Sequence, residues 1–392
     1  MVSDALALDE NELVACVACG LCLPHCPTYR VTGRESASPR GRIAAMQAVQ
    51  LHGASMDAIF DQYMEECVQC RGCEAACPSG VPFGHLMEGA RDAMVDAGSR
   101  GSWRRRLAEW VGYRLVLPRH WLLRTLTWLL WVAQRLHLVP RRYALPRLRA
   151  GELARSLEPD AGPPDAFLFT GCVMDAWQRG IHRAAMTVMR ASGAGVGLPG
   201  RGADCCGALH AHAGRLDEAR ALARRVIASM PGATPVVVDS AGCGAAMKEY
   251  GHLLGTADAV QFAGRVRDFS EWVAARDPVP LRPANRPVVV QDACHLRHVQ
   301  RAHGAVRTVL APAYNLLETD DDGLCCGAGG AYNVMQRELA GEIRHRKVEA
   351  LCAAGGPDPE VVSANPGCAM HLGAAGVRVR HPAELLAEAL DG

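Results

Sequence analysis

The chain has 392 residues, 49% hydrophobic and 21% charged, and its 42 basic and 41 acidic side chains leave a formal net charge of +1. That length points to two or three domains with a sizeable core, and near-neutrality excludes a self-repelling disordered chain and a globally basic nucleic-acid binder. The 17 cysteines are the informative number, because a chain this long needs no disulfides and an odd total does not pair off; they read as metal ligands or redox groups in a reducing compartment.

The N-terminus carries Asp4, Asp9 and Glu10 and has no basic region followed by an apolar one, so no secretory signal is expected. No uncharged apolar stretch of about 18 residues occurs. The nearest, Thr125 to Gln134, is closed by Arg124 and Arg135 and is too short to span a bilayer. The expected location is the cytoplasm, with peripheral contact on the inner face of the membrane left open.

The first segment, residues 1–98, contains Cys16-x-x-Cys19-x-x-Cys22-x-x-x-Cys26-Pro27 and again Cys67-x-x-Cys70-x-x-Cys73-x-x-x-Cys77-Pro78. This is the spacing of two-cluster bacterial ferredoxins, in which the fourth cysteine of each run serves the other cluster. One [4Fe-4S] cluster is therefore assigned to Cys16, Cys19, Cys22 and Cys77, and the other to Cys67, Cys70, Cys73 and Cys26. Zinc sites use two pairs of ligands rather than a four-cysteine run made twice. Gly20 and Gly72 are expected to let backbone N–H groups approach the cluster sulfides. Helical patterns near Gly41–Leu51 and Met56–Met64 predict a mainly helical scaffold.

Residues 99–160 form a connector. Between Arg100 and Ala150 it holds twelve arginines, one acidic residue, Glu109, and five of the seven tryptophans, with Pro118, Pro140 and Pro146 dividing it into short helices. Packing helices with a solvated basic face, a membrane-interfacial segment and a partner-docking surface are all open readings.

The remainder repeats. An apolar run at Ala166–Gly171 leads to Cys172, and Pro287–Ala293 leads to Cys294. Each is followed by a helical stretch, a Cys-Cys-Gly (Cys205-Cys206-Gly207 and Cys325-Cys326-Gly327), another helix, and a second apolar run ending at Cys243 or Cys368. Alternating strands and helices predict an α/β unit with a mostly parallel sheet in each half, residues 161–280 and 281–392, related by a pseudo-two-fold axis. The fold class is thus α+β multidomain, a helical two-cluster domain followed by two pseudo-symmetric α/β domains. Adjacent cysteines can both reach a polynuclear cluster, so Cys172, Cys205, Cys206 and Cys243 form one candidate set of further ligands, and Cys294, Cys325, Cys326 and Cys368 the other. Buried thiols or exchange pairs are the alternative. Cys352 belongs to neither set and reads as a core residue. Gly195-x-Gly197-x-x-Gly200 runs into the Cys205 loop without a following helix, so it is rejected as a dinucleotide site.

The two cysteine runs followed by two Cys-Cys-Gly repeats resemble the iron–sulfur subunits of bacterial glycolate oxidase (glycolate dehydrogenase). Ser38-Pro39-Arg40-Gly41-Arg42-Ile43, Asp292-Ala293-Cys294-His295-Leu296-Arg297-His298, Ala364-Asn365-Pro366-Gly367-Cys368 and His381-Pro382-Ala383-Glu384-Leu385-Leu386 carry the likeness. The resemblance implies an electron-transfer subunit with no catalytic residue or organic cofactor of its own. It would take electrons from an FAD-containing 2-hydroxy-acid dehydrogenase partner, of glycolate or D-lactate type, to a quinone or other carrier, with no nucleic-acid partner. An anaerobic glycerol-3-phosphate dehydrogenase-type subunit and a catalytic heterodisulfide-reductase-like protein are the alternatives. A full motif of the latter ends in Cys-x-x-Cys. Ser240 and Asn365 stand at the first of those positions, which puts five-thiolate chemistry in doubt and leaves four-thiolate sites, or lost clusters, open. His295 and His298, beside Cys294, read as surface or packing residues or as neighbours of a cluster.

Overall fold

The computed structural model describes residues 6–98, 103–139, 148, 150–154, 156–321 and 323–390. The expected proline breaks at Pro140 and Pro146 fall outside them. Residues 10–96 form short α-helices without a strand. Their starts are written in the sequence. Asp9 and Asp57 accept hydrogen bonds from the first-turn backbone, and Ser38 accepts from Gly41 N with Pro39 at the first helical position. Apolar residues at helical spacing, Ile43, Met46 and Val49 on one helix and Leu86, Ala90 and Met94 on another, close a core of their own around Leu13 and Met64.

The two repeats each build a four-stranded parallel sheet. The first contains β1 (Ala166–Phe169), β2 (Val196–Gly197), β3 (Val236–Val238) and β4 (Val266–Asp268), in the order β2-β1-β3-β4. The second contains β5 (Pro287–Val290), β6 (Asn315–Leu317), β7 (Glu360–Val362) and β8 (Arg378–Arg380), in the order β6-β5-β7-β8. The central strands are continuous apolar runs because helices cover both faces. Leu168 pairs with Val237, and Val289 with Val361. In each sheet the chain leaves the first strand to one side and returns on the other. The carboxyl ends of β1 and β3, and of β5 and β7, are therefore topological switch points, where open α/β sheets place their ligands.

The repeats pack reciprocally. The helix Arg179–Ala191 of the first lies on the last helix of the second, Pro382–Ala389, and Gly304–Leu310 of the second lies on Phe269–Ala274 of the first. Such mutual contact is what a pseudo-two-fold axis requires. One hydrophobic core runs through both repeats, from Leu168 to Val289 and Leu385.

The helical domain rests on both. Its helix Pro27–Thr32 packs on Arg337–Gly355, and Phe83–Asp96 packs on Ala208–His212 and Leu216–Ser229. Among the described residues, no helix is long and apolar enough to cross a membrane. The connector helices Trp103–Trp110 and His120–Arg135 instead keep an apolar face uncovered, with Trp103 63% and Trp121 66% exposed beside Leu107, Trp110, Leu129 and Leu136.

Gly207 and Gly327 take φ of 83° and 87°, and a Cβ on Gly327 would stand 2.8 Å from the Ala340 carbonyl oxygen. The third residue of each Cys-Cys-Gly is thus fixed by backbone conformation and by the helix beneath it. Gly327→Ala is expected to lower the unfolding midpoint by the equivalent of more than about 1 kcal/mol. Gly341→Ala, mid-helix with no atom within 4 Å of a new Cβ, should raise it by about 0.5–1 kcal/mol. Differential scanning of the two variants checks both signs.

Asp268 ends β4 and caps Phe269–Ala274 in a reciprocal capping box with Glu271. Burial pushes its carboxyl up to about 7. The folded state then holds a proton that the unfolded state has released, so this group's contribution falls as pH rises from about 4 to about 7. Asp268→Asn should flatten the decline in melting temperature across that window, read as the wild-type minus variant difference at each pH.

Candidate metal centres

The two cysteine runs fold alike. Ala18 and Gly20 in the first loop, and Gln69 and Arg71 in the second, all have φ between 54° and 86°. The residue matching Gly20 is therefore Arg71, not Gly72, which opens the helix Gly72–Ala75. Gly72 is small for another reason: a Cβ there would lie 3.2 Å from the His25 carbonyl oxygen and 3.4 Å from His298 Nε2. Arg71 is held in this conformation by Glu74 at 2.8 Å and Glu249 at 2.5 Å.

Cys16, Cys19, Cys22 and Cys77 line one cavity at the surface, which Cys73 also reaches and where Cys19 is exposed. Val17 and Leu21 of its wall stand exposed. Cys26, Cys67, Cys70 and Cys73 are buried. Burial, and then the charges of Cys70, Cys26 and Cys67, push the Cys73 thiol well above its usual value. The fourth cysteine of each run thus sits with the other run. Beneath the second set, Arg42 is fully buried and donates to the carbonyls of Ala37 (2.7 Å) and Tyr63 (2.7 Å). Its charge favours the thiolates of Cys26 and Cys70.

The repeat cysteines gather at the strand ends identified above. Cys172, Cys205, Cys206 and Cys243 gather so closely that each thiol shifts the titration of its neighbours. The thiols of Cys172 and Cys206 hold Cys205 well below its usual pKa, and His210 assists. Leu123 of the connector and Leu222 wall this set. Cys294, Cys325, Cys326 and Cys368 form the matching group, with 3.0 Å between the sulfurs of Cys326 and Cys368. That is a contact and not a disulfide, whose sulfurs lie about 2.05 Å apart.

The donors fit thiolate-held iron–sulfur clusters. The thiols are free, and backbone N–H groups of Gln69, Gly207 and Gly327 point at the sulfurs of Cys67, Cys205 and Cys325 at 3.4–3.5 Å. Among the described residues, no three His, Cys, Asp or Glu side chains converge as a single metal ion requires.

Three arrangements have no sequence signature. Cys325 and Cys294 also pack in one buried cluster with Cys70, which joins the buried N-terminal set to the second repeat. Asn365, at the degenerate position, donates to Cys368 Sγ at 3.4 Å and accepts from Gly242 N at 3.2 Å. It therefore ties together the loops that carry Cys368 and Cys243. His295 and His298 are half-buried packing residues. Burial pushes them down to about 3 and about 4, and His295 Nδ1 lies 3.7 Å from Cys294 Sγ. Cys352 is half-buried on Arg337–Gly355 rather than in the core.

Comparison with known proteins agrees with this arrangement. A 4Fe-4S dicluster domain model matches residues 12–81, and a cysteine-rich domain model matches residues 166–248 and 288–373. The chain is 33% identical to the glycolate oxidase iron-sulfur subunit of Escherichia coli, over 100% of this chain and 98% of that one. The chain belongs to the glycolate oxidase iron–sulfur subunit family. A probable member from Bacillus subtilis is 32% identical over 97% of this chain and 95% of its own length. A polypeptide of the dihydromethanophenazine:CoB–CoM heterodisulfide reductase of Methanosarcina barkeri is 26% identical over 88% of this chain and 84% of its own. As in the family, the chain is an iron–sulfur protein of an oxidoreductase.

Arg42→Met removes the donors to two buried carbonyls. It should lower the unfolding midpoint by the equivalent of about 1–3 kcal/mol. Arg40→Met, which loses the surface pair with Glu35 and an exposed bond to the Ala18 carbonyl, should change it little. Denaturant titration of both variants separates the two roles.

Proposed function

We propose that the chain is the electron-transfer subunit of a complex in which an FAD-bearing partner oxidises a 2-hydroxy acid of the glycolate or D-lactate type. Electrons would pass through this chain to a quinone or another carrier. Cys16, Cys19, Cys22 and Cys77 would hold one [4Fe-4S] cluster, and Cys67, Cys70, Cys73 and Cys26 the other. The two repeat sets would each hold a further cluster on four thiolates. When bound, such clusters supply one-electron carriers, and the protein sets their spacing, burial and hydrogen bonding.

The observation that carries this reading is the continuity of the thiol sets. It starts at exposed Cys19 with its apolar collar, continues in the buried N-terminal set, and crosses from Cys70 to Cys325 into the second repeat. Asn365 then bridges to the loop of Cys243. The exposed end suits docking of the flavoprotein, and the buried thiols exclude water and oxygen. The uncovered tryptophan and arginine face of the connector supports peripheral contact with anionic lipid on the inner face of the membrane. Domain limits near residues 98, 160 and 280 belong to the same proposal.

Anaerobic co-purification with the flavoprotein tests the reading. Adding the 2-hydroxy acid to the complex should bleach the visible absorption of this chain, and adding it to the chain alone should not. Turnover of a hydroxy acid or a disulfide by the isolated chain would overturn it. With four irons per cubane, Cys19→Ala and Cys70→Ala should each lower the iron count by about four. Thiol titration of the fully loaded chain should find Cys352 reactive.

A further inference from the structure

A cavity of about 290 Å³ lies where the helical domain meets both repeats, and none of the thiol sets fills it. Its walls include the N-terminal segment at Leu8, the helix Phe83–Asp96, the turn after Cys206, and the stretch from Gly242 to Leu253. Cys206 of the first set bounds it on one side. His295, next to Cys294 of the second set, bounds it on another. It therefore touches the surroundings of both repeat centres.

The charges on its wall decide what it can hold. Asp9, Glu12, Glu88 and Glu249 face it, against Arg71 and Arg220. Both guanidiniums are already engaged, Arg71 by Glu74 and Glu249, and Arg220 by Asp217 at 2.9 Å. Among the described wall residues a carboxylate or phosphate would find no free cation and several like charges, so an anionic ligand is disfavoured. The wall is instead rich in imidazole. His212 Nδ1 lies 3.1 Å from Glu88, which leaves its Nε2 for a ligand. His85 stacks on His252 at 3.6 Å, and neither of its buried ring nitrogens has a hydrogen-bond partner; Nε2 lies 3.8 Å from Glu249. Two imidazole–carboxylate pairs thus face a space with apolar walls at Leu8, Leu86 and Leu253.

We propose that this cavity binds the headgroup of a quinone, a neutral ring whose two carbonyl oxygens accept hydrogen bonds from His85 and His212. The proposal rests on the electron-transfer reading above and gives it an exit. Reduction to the hydroquinone takes two electrons and two protons; clusters held by the sets of Cys206 and Cys294 would supply the electrons one at a time. The imidazolium forms of His85 and His212 would each give one proton to a carbonyl oxygen, breaking an N–H bond and forming an O–H bond. The neutral imidazoles left behind would take replacement protons from solvent, and Glu249 and Glu88 would stabilise the imidazolium forms so restored. A carrier of single electrons alone needs no proton donors at its site, and this cavity supplies two.

The test uses the full chain, purified anaerobically with its clusters, and a tailless ubiquinone analogue as probe. Equilibrium binding is measured in the dark by calorimetry, and a photoreactive azidoquinone is mapped by peptide mass spectrometry. The analogue should bind. Ala246→Leu, which fills the cavity, and His85→Asn should each weaken binding about tenfold or more. The label should fall within the wall segments, residues 7–12, 83–96, 206–220 or 242–254. Iron content reports folding; if Ala246→Leu loses iron, Ala211→Leu fills the opposite wall and replaces it. No binding, equal binding by wild type and variants, labelling elsewhere, or displacement of the probe by a free 2-hydroxy acid anion would overturn the proposal. Substrate-driven bleaching in the complex with the flavoprotein is read separately. Loss of quinone binding with bleaching intact removes this site alone, and loss of bleaching removes the electron-transfer reading.

Discussion

The packing of Cys70 with Cys325 in one buried cluster ties the two kinds of cysteine site into one structure. It exists because the loop of residues 67–73 is pressed into the second repeat. The helix Gly72–Ala75 rests on the turn His295–Val299, and Pro27–Thr32 rests on Arg337–Gly355. Docked this way, the buried N-terminal set loses its access to water and gains neighbours that are themselves thiols. Arg42 offsets part of the resulting negative charge from beneath, held by carbonyl groups rather than by a carboxylate that would cancel it. A cationic group left free to act on thiolates in a low-dielectric interior acts strongly.

Parallel-sheet topology supplies the rest. Loops that follow β1, β2 and β3 leave from the same edge of the sheet, so cysteines up to 71 residues apart in sequence, Cys172 and Cys243, belong to one group. The second sheet repeats this with β5, β6 and β7. Reciprocal packing then brings the loops of Cys243 and Cys368 together, where the Ala241 N–H donates to the Ala364 carbonyl and Asn365 bonds both sides. The position that would carry a fifth thiolate in the second repeat is thus occupied by an amide that can donate to one loop and accept from the other. A thiolate there could do only the second.

Sequence spacing makes the local part of this legible. The mostly parallel sheets implied by alternating apolar and helical runs, and the helical scaffold of the first domain, follow from short-range patterns, and both are present in the fold. What joins elements far apart is not legible in the same way. Nothing in residues 67–73 marks Cys70 as a neighbour of Cys325. Nothing in the histidines at 85, 212, 252 and 295 marks them as one cavity wall, because no periodicity connects four segments. Gly72 shows a subtler limit. Its smallness reads as a backbone requirement, but the left-handed position belongs to Arg71, whose side chain is stabilised by Glu249 from another domain. For His295 and His298 the sequence leaves surface and packing roles undivided for the same reason, since their neighbours include His212 for the one and Gly72 for the other, both from distant segments.

The connector resolves in an unexpected direction. Its composition leaves open whether it is packing, interfacial or docking material, and the helix His120–Arg135 proves to have two working faces. Inward, Leu123 closes the first repeat's thiol set, Thr127 accepts from Trp177 Nε1 at 3.1 Å, and His120 pairs with Asp175 at 2.7 Å. Outward, Trp121, Leu129 and Leu136 are uncovered. A helix with its side chains is about 10–12 Å across, so whatever covers the outer face lies about one helix diameter from Cys172 and Cys205. The burial of those thiols depends on the seating of this helix, because Leu123 is part of their wall. Docking on the outer face would favour the seated position and so keep the first repeat's thiols sealed.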